Sequence, residues 1–151
     1  MYSLLLLVHL LAVHTLVGGL LLLQVLAVRA ARAPAADDLL ALWRQAGWLG
    51  PRVFIPASGL ILTTGLALTS ASGYRLDQPY LIAGLLVLLG GALAGPLYHA
   101  PESRRVTDLI RTAGAASAEV RWRLRRVFLI ARLELGLLIL AIVCMVVKPG
   151  T

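Results

Sequence analysis

Residues 4–28 read LLLLVHLLAVHTLVGGLLLLQVLAV, twenty-five residues without a charge. As an α-helix at about 1.5 Å per residue this run spans about 37 Å, enough to cross a hydrocarbon core about 30 Å thick. It shows no period-two alternation, so it does not read as a barrel strand. No basic residue precedes it and it is too long for the apolar core of a signal peptide, so a cleaved leader is a poor reading. Three further apolar runs follow at 53–71, 80–98 and 127–147, the last interrupted by Arg132 and Glu134. The expected fold is all-α: a polytopic membrane protein whose single domain is a four-helix transmembrane bundle. Its helices fall at about 3–30, 52–72, 79–99 and 117–148, with connecting segments at 31–51 and 100–125.

Composition agrees. Of 151 residues, 60% are hydrophobic and 14% charged, and the mean hydropathy is +0.88. Soluble domains are about half apolar and a quarter charged. An ordinary soluble enzyme, a disordered tail and a disulfide-stapled secreted domain are thereby excluded. Cys144 is the lone cysteine and has no internal partner.

The net charge of +7 comes from arginines in two blocks. Arg29, Arg32, Arg44 and Arg52 lie between the first two runs. Arg104, Arg105, Arg111, Arg121, Arg123, Arg125 and Arg126 lie between the last two. Eleven basic residues thus share one side, against Arg75 and Lys148 on the other. The positive-inside rule places both termini outside and both basic segments in the cytoplasm of a bacterial inner membrane. The arginines point to anionic lipid headgroups and not to nucleic acid. Trp43, Trp48 and Trp122 fall near the inner interface, where amphipathic rings are favoured. Asp37 and Asp38 would start a short helix ending near Gly47, and Ser117 would cap a helix running on into the fourth span.

No P-loop, GxGxxG, HExxH, CxxC or serine-nucleophile pattern occurs, which favours a protein without catalysis of its own. Chemistry is sought instead in polar residues at membrane depth, which are costly there. These are His9, His14, Gln24, Thr63, Thr64 and Glu134, with Arg132 beside the last. His9 and His14, five apart, turn about 140° from each other and cannot both ligate one iron from one helix. His99 ends the third run on the far side from His9. Any bis-histidine haem therefore needs a second chain, as in a homodimer, while Met145 matches the depth of His9 only loosely. By depth, His14 is the best-placed partner for Glu134, with Gln24 and Arg132 nearer the inner surface. Gly84, Gly91 and Gly95 form a small-residue stripe on the third helix, suited to close packing within the bundle or at a dimer seam. Pro56 and Pro96 are placed to bend helix ends.

Several motifs together resemble a known family. They are His9 with Gly18-Gly19; Arg52 leading into Phe54-Ile55-Pro56; Arg132-Leu133-Glu134; and Met145-Val146 running to Lys148-Pro149-Gly150. The chain is similar over nearly its whole length to the bacterial "predicted integral membrane protein" family of about 150 residues and four helices, whose function is uncharacterised. More distantly, the first helix resembles membrane haem proteins of the protoporphyrinogen-oxidase type and copper-resistance membrane domains. His9 with Gly19 carries that likeness, and Leu16 stands where the haem group has tryptophan. The resemblance implies haem b, or another metal, on His9. The alternative is a purely structural accessory subunit packed on a larger, respiratory-type membrane complex.

Overall fold

The computed structural model describes residues 1–32, 36–73 and 77–147. Arg75, Lys148 and the Pro149-Gly150 end of the terminal motif lie outside the described residues. Among the described residues six α-helices follow one another: α1 (Tyr2–Ala31), α2 (Ala36–Leu49), α3 (Ile55–Ala71), α4 (Pro79–Ala94), α5 (Ala100–Ala113) and α6 (Ala118–Val147). Among the described residues there is no strand.

Two pairs are continuous. A π-helical turn, Gly50–Phe54, joins α2 to α3, and another, Gly95–His99, joins α4 to α5. Each has proline as its second residue. Proline has no N–H to give to the preceding turn, and the ladder resumes with a wider step. The Ile55 N–H reaches the Gly50 carbonyl, and the Ala100 N–H reaches the Gly95 carbonyl. The helices expected to end near Gly47 and His99 therefore do not end. Four rods result, each long and apolar enough to span a membrane: Tyr2–Arg29, Asp37–Ala71, Pro79–Ala113 and Ala118–Val147.

The last two rods form a hairpin. Gly114 closes α5 at φ +79°, a conformation that suits glycine, and its N–H bonds the Ile110 carbonyl. Ser117 caps α6 as expected, its Oγ accepting from the Val120 N–H at 3.2 Å. In the bundle α1 packs on α3 and α6, and α6 packs on α4; α3 and α4 touch least of these pairs.

Burial differs between the two ends. Along the apolar spans the buried positions are largely small: Ala12, Ala27, Ala57, Ala131 and Ala141. Leucines such as Leu7, Leu86 and Leu133 face outward. That is how helices pack when lipid is the solvent. At the arginine-rich end the chain builds a core of ordinary type instead. Leu39 and Trp43 of α2 meet Val106 and Ile110 of α5 and Val120, Leu124 and Val127 of α6. Val106 and Val120 are completely buried. Trp43 Nε1 donates to the Ser103 carbonyl at 3.1 Å and its ring stands edge-on to Phe128.

The glycine stripe is only partly an internal seam. A Cβ on Gly84 would lie 2.0 Å from Met145 Cε, so α4 and α6 approach closely there. Gly91 and Gly95 have nothing within 4 Å of a built Cβ, so the expected intramolecular packing does not extend to them. The less yielding seat is Gly19, whose Cβ would stand 2.5 Å from Phe54 Cε1. That ring is held at the end of a π turn, whereas the Met145 methyl is the free end of a flexible chain. Gly19→Ala should therefore cost about 1–3 kcal/mol, and Gly84→Ala less than about 1 kcal/mol. Unfolding in mixed micelles would show it; the reverse order would mean that the Phe54 ring is not a fixed wall.

Candidate functional site

Three polar links join the helices at membrane depth. The first is at the α1–α3 contact, where His9 and Thr64 meet: His9 Nδ1 lies 2.9 Å from Thr64 Oγ1. The Thr64 hydroxyl gives its own hydrogen to the Leu60 carbonyl. A hydroxyl has one hydrogen, so toward His9 it accepts, and Nδ1 carries the imidazole proton. In the neutral ring Nε2 then keeps the lone pair, and the imidazole also lies within reach of the Ile61 backbone on α3. Gly65 makes room for the ring, since a Cβ there would be 3.3 Å from His9 Cε1. A hydrogen bond on one nitrogen that sets tautomer and orientation for ligation by the other is the usual support of a metal-binding histidine.

The second link ties α6 to the end of α4. His99, the last residue of the π turn, directs Nε2 at both oxygens of Glu134, 3.1 Å each. This corrects the expected pairing of Glu134 with His14. Taking His99 as a helix end put it at the inner surface. In fact the helix continues to Ala113 and α6 starts at Ala118. Both residues then stand about 21–24 Å above the hairpin turn, at matching heights.

The third link ties α6 to α1. Arg132 Nε donates to Gln24 Oε1 at 3.1 Å. Arg132 and Glu134, two apart, point to different neighbours, so α6 is braced on both sides at one level. Among the described residues Gln24 Nε2 is buried without a partner, as are the hydroxyls of Tyr80 and Tyr98.

The remaining expected site residues are placed as follows. His14 is exposed and its Nδ1 donates to the Leu10 carbonyl of its own helix at 2.7 Å. Its ring lies on an exposed face of α1. Met145 sits against Gly84. Among the described residues no three His, Cys, Asp or Glu side chains gather to hold a metal ion.

A family model described as "Predicted integral membrane protein (DUF2269)" matches residues 3–149. The chain belongs to this family. It matches no curated protein and no solved structure. Membership in DUF2269 agrees with the four rods long and apolar enough to span a membrane.

Sequence reasoning missed one cluster. At the arginine-rich end, Glu102 is only 7% exposed. Arg123 Nη1 donates to it at 2.7 Å while its Nε and Nη2 reach Glu119 Oε1 at 3.1 and 3.0 Å. The i, i+4 spacing of Glu119 and Arg123 was a readable signal. The link to Glu102 depends on the hairpin register and was not readable.

Proposed function

We propose that this DUF2269 member is a small non-catalytic protein of the bacterial inner membrane that holds a haem b on His9 and serves electron transfer or cofactor handling. The observation that carries the reading is the hydrogen-bond relay from His9 Nδ1 through Thr64 to the Leu60 carbonyl. With Nδ1 protonated, the neutral imidazole keeps a lone pair on Nε2, the kind of donor that a haem iron takes. A haem b held there by His9 would supply one-electron transfer; Thr64 orients the His9 ring, and Gly65 gives that ring space. Protein purified after haem-replete expression should show a Soret band that shifts on reduction. His9→Ala should abolish it and His99→Ala should leave it. Haem that survives His9→Ala would move the ligand to His14 or to a second chain.

The second reading is an accessory subunit without a cofactor, packed on a larger respiratory-type complex or on a second copy. It is favoured by the open faces of Gly91 and Gly95, which leave room for a foreign helix. Under it the wild-type protein carries no haem.

In either case both termini lie outside and the arginine-rich core lies in the cytoplasm, for the eleven-to-two bias in basic residues. A periplasmic reporter fused after Thr151 should be active and one inserted at Ala115 silent. The opposite pattern would invert the orientation.

A further inference from the structure

We propose that Arg121 and Arg125 form a binding site for the phosphate of an anionic phospholipid, with Trp122 as its floor and the outer face of α6 as the track for its acyl chain. Ala118, Arg121, Trp122 and Arg125 line an open cleft of about 290 Å³. Their spacing puts them along one stripe of the helix. Four arginines fall within six residues here, and they divide by role. Arg123 turns inward and is neutralised by Glu102 and Glu119. Arg126 lies over the rings of Tyr98 and Trp122, 5.8 and 5.6 Å from their centroids. Arg121 and Arg125 are exposed, and among the described residues no carboxylate pairs with either. Like charges four apart on a helix repel. A phosphate between the two guanidiniums turns that repulsion into paired, charge-assisted hydrogen bonds.

The stripe says where the phosphate comes from. At 100° per residue, Leu129, Leu133 and Leu140 lie within about 20° of Trp122. All three are exposed, at 55%, 59% and 57%. The cleft thus opens at the foot of a lipid-facing leucine column, about 6–12 Å below its first leucine. The indole is exposed at 55% and braced between Arg123 and Arg126, 5.9 and 5.6 Å from its centroid. A tryptophan so placed sits at headgroup level. A free anion would use the arginines alone, whereas a phospholipid uses the arginines, the indole and the leucines together.

The test is a titration of the full chain, in a zwitterionic detergent, with short-chain phosphatidylglycerol, short-chain phosphatidylcholine and inorganic phosphate, read as a thermal shift. Phosphatidylglycerol should stabilise the wild type, and the two other probes should not. Arg121→Gln/Arg125→Gln should weaken the phosphatidylglycerol response at least about tenfold. Arg111→Gln, which removes an exposed charge elsewhere, should not weaken it. Melting without lipid checks that the double variant folds; if it does not, Arg121→Lys/Arg125→Lys, which keeps charge but not the fork geometry, should show an intermediate response. An equal response to inorganic phosphate, or an undiminished response in the double glutamine or double lysine variant, overturns the proposal.

Discussion

Glu134→Leu should destabilise the protein by about 1–3 kcal/mol, while Glu134→Gln should be close to neutral. The leucine leaves the His99 imidazole, three-quarters buried at the α4–α6 contact, without the carboxylate that both its bonds reach. The amide keeps the shape and one acceptor oxygen. The same argument makes His99→Leu costly alone. It makes the double variant His99→Leu/Glu134→Leu better than the sum of the singles, because no polar group is then stranded in an apolar contact. A double-mutant cycle in micelles measures the coupling. Additive losses would mean that the two side chains do not interact, and that His14 or another group had to be sought again for Glu134.

Ile110→Ala should produce the largest loss of the set, about 2–5 kcal/mol, and it should be local. Ile110 is 2% exposed in the core built by α2, α5 and the start of α6. Removing its side chain leaves a cavity that Val106, Val120 and Trp43 line from several sides and cannot collapse into freely. The spans beyond the π turns take no part in this core. Hydrogen exchange should therefore quicken in α2 and α5 and stay slow in the apolar halves of α1, α3 and α4. Uniform loosening of the whole bundle would show instead that the two ends form one cooperative unit.

What was legible in the sequence was whatever depends on runs of residues. The uncharged stretch 4–28 and its three companions gave four spans, and the structure has four rods. Ser117 before an acidic first turn gave the cap of α6. What was not legible depends on register between helices. A short helix read as ending near Gly47 and the third span as ending at His99, because the apolar pattern breaks there, close to Pro51 and Pro96. Here a wider hydrogen-bonded turn absorbs each proline and carries the helix on. That one difference moved His99 from a surface to the height of Glu134 and changed the partner of the most costly residue in the chain. The glycine stripe left its use open for a related reason: small residues at 84, 91 and 95 show that one face is narrow, not which neighbour fills it, and within the described residues a built Cβ meets a neighbour at Gly84 but not at Gly91 or Gly95. His9 and Thr64 were both recognisable as polar residues at membrane depth. Their pairing rests on how α1 lies along α3, which no local pattern encodes.

The proposal turns on His9 offering Nε2 to haem iron while Thr64 holds its Nδ1. Absorption spectra of the oxidised and reduced protein, taken for the wild type, His9→Ala and Thr64→Val after haem-replete expression, test it most directly. The account predicts a reducible Soret band in the wild type, none in His9→Ala, and a weaker or shifted band in Thr64→Val, where the ring loses its orienting acceptor. A wild-type protein that folds and carries no haem would contradict it and leave the accessory-subunit reading.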